Sequence, residues 1–198
     1  MLSEILYPTT FTLFQICWAV VWAARHVEVR RSRHYADNRT QADTNSRYRV
    51  VSYFLYVSQN ALCVASFWSN SPLLLKIHDS NSLRILGLIL IGCSTIMYFM
   101  SLKYLGRNYS PCFDSHVPVE LISSGPYKLS RHPMYLGKLL VGIGNFIISG
   151  SLWFALMLIY LALETVRTIR NEEQYLTKAL PEYAEYKKRT PMMIPFLL

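Results

Sequence analysis

Charge is scarce in this chain of 198 residues: Asp, Glu, Lys and Arg make up 16%, and only 12 residues are acidic. So little charge beside 52% hydrophobic residues excludes an ordinary soluble domain of this size and a disordered segment alike. Cysteine is rare as well. Of the four, Cys17, Cys63 and Cys93 fall in three different apolar stretches and Cys112 in a loop, which argues against a disulfide framework and leaves no pair at metal-binding spacing. No internal repeat or low-complexity segment is visible, so repeat architectures drop out. Met1 to Glu4 holds no positive charge, and no small-residue cleavage pattern follows the first apolar run. A cleavable signal peptide is therefore not expected.

What the chain does have is four stretches without a single charge: Ile5 to Ala24, Val50 to Trp68, Ile85 to Leu102 and Leu139 to Leu163. Each approaches or exceeds the roughly 18 to 20 apolar residues that cross a bilayer as helix. The reading is an integral membrane protein. The net charge of +8 does not point to nucleic acid, because the arginines lie between hydrophobic stretches rather than along a soluble face. They read instead as topology signals and contacts to anionic lipid. Trp18, Trp22, Tyr48, Tyr53, Tyr56 and Trp68 read as interfacial aromatics.

Arg25, Arg30, Arg31, Arg33, Arg39, Arg47 and Arg49 follow the first apolar stretch, whereas residues 70 to 84 hold only Lys76 and Arg84. The positive-inside rule then puts the first loop in the cytosol and the N-terminus outside. Two crossings later, Lys103, Arg107, Lys128, Arg131 and Lys138 are inside again, and the sequons at Asn38 and Asn108 fall on that cytosolic face. The tail is basic too, with Arg170, Lys178, Lys187, Lys188 and Arg189. One crossing by the last apolar stretch would leave that tail outside, so two are expected, turning at Ser149-Gly150-Ser151. Each uncharged arm is only about 19 Å long at 1.5 Å per residue, which requires extension outward from about Pro133 and to about Ile169. The expectation is an all-α polytopic fold forming one domain over 1–198. It has three transmembrane helices in 1–104, then a loop, a tight helical hairpin and a short helical tail in 105–198.

The loop "SGPYKLSRHPMYLG", residues 124–137, is shaped by Pro126 and Pro133. Pro133 suits the first position of a helix, where its missing N–H is not needed. His132 and Tyr135, three apart, then share one face of the first turn. Glu164 and Arg167 fall within the other arm, where ionisable groups at membrane depth mark function by default.

Three blocks occur in order: Gly106-Arg107-Asn108-Tyr109-Ser110, then "VELISSGPYKLSRHPMYLG", then "RNEEQYL" with "EYAEYKKRTPMMIPF". In these blocks the chain resembles the isoprenylcysteine carboxyl methyltransferase and phospholipid methyltransferase superfamily. The resemblance implies S-adenosylmethionine as methyl donor at a cytosolic loop. It assigns the cofactor to Val119, Glu120, Leu121 and Ile122, to Tyr127, to His132, Pro133, Met134 and Tyr135, and to Glu172 of the glutamate pair. The position of Val119 is often histidine in the eukaryotic isoprenylcysteine enzymes, so a side-chain contact is lost there. An arginine just before the glutamate pair is implied to hold the acceptor carboxylate. Here that is Arg167 or Arg170, with Arg167 preferred for its nearness to the hydrocarbon boundary.

The residue types suit that cofactor on chemical grounds. A sulfonium, an ammonium, a carboxylate and an adenine call for aromatic faces, a carboxylate and helix-start donors. Methyl transfer to a carboxylate needs no general base, only alignment and exclusion of water, and an arginine fork matches a carboxylate. Transfer to an amine would need a base, for which His132 and Glu164 are the candidates. The leading expectation is carboxyl methylation of a prenylated cysteine in the bilayer, with no metal and no nucleic acid. The rivals are phospholipid N-methylation, an NADPH-dependent sterol-type reductase sharing the RHPxY element, and a non-catalytic membrane scaffold.

Overall fold

The structure, a computed structural model, describes residues 75–78, 80–109, 118 and 120–193, with isolated helical positions among residues 12–61. Apart from those isolated positions, the first two apolar stretches lie outside the described residues, as does Val119. Within them there are four α-helices: α1 Asn81–Leu105, α2 Pro133–Ser149, α3 Leu152–Ala179 and α4 Tyr183–Arg189. Short 3-10 turns occupy Gly106–Asn108 and Gly125–Lys128. Extended pairing among the described residues is confined to one antiparallel bridge between Lys76 and Ser151.

Each boundary has a local cause. Pro133 opens α2, as expected from its fixed φ and absent donor. Gly150 closes α2 in the left-handed region at φ +61, its N–H bonded to the Phe146 carbonyl. A side chain there would meet the His78 carbonyl oxygen, because residues 75–78 run across this turn: the Ile77 N–H reaches Gly150 O at 2.7 Å and the Leu152 N–H reaches Leu75 O at 3.2 Å. The region read from sequence as a separate helical tail divides differently. Asn171 to Ala179 continue α3, since no Gly or Pro interrupts it before Pro181, and only Tyr183–Arg189 form a new helix.

Helix α1 packs along α2 through small residues. A Cβ added at Gly144 would lie 2.5 Å from Ile91 Cγ1, and one at Gly87 would lie 2.6 Å from Ile148 Cγ1. The two backbones therefore approach as closely as glycine allows, the packing used where lipid removes any hydrophobic drive between helices. Ser94, Thr95 and Ser101 lie on the buried face and spend their hydroxyls on carbonyls four residues back. Outward, Leu156, Ile159 and Leu163 are 51%, 58% and 66% exposed, apolar area that water would penalise. Helices α1 and α3 are long and apolar enough to cross a membrane; α2 is shorter. At one end of the bundle, the close of α1, the start of α2, the close of α3 and α4 gather.

Candidate active site

That gathering is organised by one carboxylate. Thr165, Ile169 and Glu173 recur every four residues as the buried stripe of α3, so Glu173 faces inward, 3% exposed. Its Oε1 accepts from Arg131 Nε at 2.7 Å and lies 3.2 Å from His132 Nε2, and its Oε2 accepts from Lys187 Nζ at 2.8 Å. Arg131, 9% exposed, also donates through Nη1 to the carbonyls of Lys187, at 3.0 Å, and Thr190. Those are carbonyls at the C-terminal end of α4, where a cation is favoured. Backbone bonds add to the clasp: Arg131 N–H to Pro191 O at 2.9 Å and His132 N–H to Met192 O at 3.1 Å. The RHP turn, the last turns of α3 and the segment after α4 are thus one ionic unit.

The residues assigned from sequence sit around this unit. The His132 and Tyr135 rings are 5.8 Å apart, on one face as spaced. Tyr127 is buried, and its carbonyl accepts the Tyr186 hydroxyl. Met134 packs against the cluster of Tyr98, Leu102 and Tyr109, which brings the first of the three sequence blocks beside the second. Leu121 and Ile122 are half-buried, and Leu121 packs against Leu180, Tyr183 and Tyr186. Glu120 is exposed, its N–H on Asn108 Oδ1 at 3.3 Å. Glu172 is half-buried and within electrostatic reach of Tyr127 and Tyr183. Arg167 is exposed, with Glu164 at 4.0 Å. Arg170 instead borders an open groove of about 610 Å³, together with Glu173, Gln174, Thr177, Lys178, Lys187 and Met192.

Sequence reasoning chose Glu172 from the glutamate pair and read Arg131 and Lys187 only as topology charges, so the clasp they form with Glu173 was missed. Adjacent helical residues point about 100° apart, so one member of the pair must face inward. The apolar Ile169 four residues earlier marks Glu173 as that member. Nothing local announces Arg131, whose partners, the Glu173 carboxylate and two backbone carbonyls, lie more than forty positions away.

Three phenols of this region hold their protons unusually tightly. Burial chiefly, then the charge of Glu172, raises Tyr127 well above its ordinary range; burial raises Tyr183 likewise and pushes Tyr186 up to about 12. A phenol whose folded pKa exceeds its unfolded value of roughly 10 stabilises the fold below that value and loses the contribution as pH rises toward the folded pKa. Thermal unfolding in micelles should therefore shift to lower temperature between pH 9 and pH 11, and Tyr186→Phe should reduce the shift. An unchanged transition would show that these phenols titrate normally.

Residues 83–183 match the model of the family described as phospholipid methyltransferase. The chain belongs to this family. Among curated relatives it is 34% identical over 156 residues to a cobalt-zinc-cadmium resistance protein of Cupriavidus metallidurans, covering 76% of this chain and 62% of the relative. It is 27% identical over 180 residues to the protein-S-isoprenylcysteine O-methyltransferase of Xenopus laevis, covering 83% of this chain and 60% of the relative. The chain thus spans about three fifths of the length of both. Among solved structures, the eukaryotic intramembrane Ras methyltransferase, isoprenylcysteine carboxyl methyltransferase, matches with a TM-score of 0.53 at 20% identity, over 79% of this chain and 55% of that one. That likeness is one of fold. Family, fold and apolar helices together make the chain a membrane protein of a methyltransferase family, in agreement with the resemblance read from its motifs. Among the described residues no three His, Cys, Asp or Glu side chains gather as a metal site would require.

Proposed function

We propose that this chain is an S-adenosylmethionine-dependent methyltransferase acting on a membrane-embedded carboxylate, most suitably that of a prenylated cysteine. The observation that supports the reading is that the His132 and Tyr135 rings lie 5.8 Å apart at the start of α2 and that Glu172 is within electrostatic reach of the Tyr127 phenol, at the same end of the bundle. The residues fit the cofactor's groups: Tyr127 and Tyr135 offer aromatic faces, Glu172 an acceptor for ammonium or ribose hydroxyls, and the start of α2 donors for a carboxylate. When bound, the cofactor supplies an activated methyl group on sulfur. The chain's own task is to hold an already ionised acceptor in line and keep water out.

Arg170 is the better acceptor ligand. Both arginines are exposed, but Arg170 borders the groove beside Glu173 and Lys187 and Arg167 does not line it; this moves the preference away from Arg167. We read the chain as one domain with five crossings, its N-terminus outside and its C-terminus and cofactor loop cytosolic, on the charge distribution given above. The family's description supports a second reading, methylation of a phospholipid amine, for which a base would have to be found.

Isothermal titration of the protein in micelles with S-adenosylhomocysteine should give saturable binding, and Glu172→Gln should weaken it by about 1 to 3 kcal/mol. Absence of binding by folded wild-type protein would remove the cofactor. Equal affinity of the variant would place Glu172 outside the site.

A further inference from the structure

Tyr183 and Tyr186 stand one turn apart on α4, both at most 3% exposed, with ring centroids 5.8 Å apart at a steep angle. Their hydroxyls fare differently. That of Tyr186 donates to the Tyr127 carbonyl, whereas that of Tyr183 is buried and finds no hydrogen-bond partner among the described residues. A buried hydroxyl without a partner is costly, and phenylalanine would fill the same space without the cost. An orphaned buried polar atom calls for a partner that binding would bring.

Its neighbourhood says which. Leu121 packs against the cluster that contains Tyr183, and the charges of Glu172 and Glu173 reach the phenol. Two of the residues assigned to the cofactor thus belong to this neighbourhood, Leu121 through the cluster and Glu172 through its charge. With its proton retained, the hydroxyl is a donor. The charges that reach the phenol are two carboxylates against one guanidinium, Arg131, a balance that suits a neutral acceptor better than an anionic one: the ribose oxygens and adenine ring nitrogens of a nucleoside.

We propose that the Tyr183 hydroxyl is a further cofactor-binding group, which donates to the nucleoside portion of the S-adenosyl cofactor. The proposal rests on the methyltransferase reading above and extends its site from the α2 turn onto α4.

The test is Tyr183→Phe, with Tyr186→Phe as its counterpart, measured for thermal stability without ligand and for affinity towards S-adenosylhomocysteine and 5′-methylthioadenosine. Tyr183→Phe should leave unfolding unchanged or raise its temperature, and should raise Kd roughly three- to tenfold for both probes, the range of one net hydrogen bond. Tyr186→Phe should lower the unfolding temperature, since it strips the Tyr127 carbonyl of its donor. Unchanged Kd for Tyr183→Phe, or destabilisation like that of Tyr186→Phe, overturns the proposal. A loss confined to S-adenosylhomocysteine overturns the nucleoside assignment, because 5′-methylthioadenosine lacks the amino-acid end. If wild-type protein binds neither probe, the methyltransferase reading fails first and this contact with it, a result distinct from an insensitive variant.

Discussion

Glu173→Ala should destabilise the fold by about 3 to 5 kcal/mol, the usual cost of removing one partner from a buried ion pair. The reason is what remains. Arg131 has its guanidinium at 7% side-chain exposure and would keep only carbonyl acceptors, while Lys187 and the His132 ring would lose theirs. In a chain of this size the loss corresponds to roughly 6 to 20 °C in unfolding temperature. The damage should be local at first: the segment after α4 is tied to the RHP turn through Arg131, so limited proteolysis should cut near Arg189 before the membrane helices open. Glu173→Gln, which keeps the shape and part of the hydrogen bonding, should fall between. The double change Arg131→Met with Glu173→Leu should recover part of the stability, because apolar groups can replace a buried pair at little cost. Full stability of Glu173→Ala would mean that the ionic clasp is not what holds the tail.

The second large effect is on turnover. If Arg170 holds the acceptor carboxylate through a charge-assisted, two-pronged contact, Arg170→Lys keeps the charge but loses the planar fork. A lost contact of about 1.5 to 3 kcal/mol corresponds to roughly a ten- to hundredfold drop in kcat/KM for a carboxylate acceptor. Affinity for S-adenosylhomocysteine should stay nearly unchanged, because the acceptor is absent from that measurement. Arg167→Lys should do less. The reversed order would return the role to Arg167, and no effect from either change would favour an amine acceptor over a carboxylate.

Much of this end of the molecule could be read from local rules. Pro133 announced the start of α2, Gly150 its end, and the three-residue spacing of His132 and Tyr135 their shared face. Each depends on backbone geometry within a turn or two, which sequence encodes directly. The family resemblance rested on three separated blocks, and the packing of Met134 against the cluster that holds Tyr109 and of Leu121 against the one that holds Tyr183 shows why those blocks keep company. What escaped was long-range. Whether Glu172 or Glu173 turns inward depends on how α3 rolls against the RHP turn, and besides Glu173 the partners of Arg131 are backbone carbonyls, which every residue type provides alike. The extension of α3 through Ala179 was obscured by composition, since Asn171 to Ala179 are polar enough to look like a separate surface helix.

The central claim concerns the acceptor, and a transfer assay addresses it most directly. Protein in lipid nanodiscs, given S-adenosylmethionine with a labelled methyl group, should be offered N-acetyl-farnesyl-cysteine beside phosphatidylethanolamine. Label released from the farnesyl-cysteine product by mild base, as a methyl ester requires, is the expected result, and it should fall with Arg170→Lys. Label in the phospholipid that resists base would contradict carboxyl methylation and make the enzyme an amine methyltransferase of the same family.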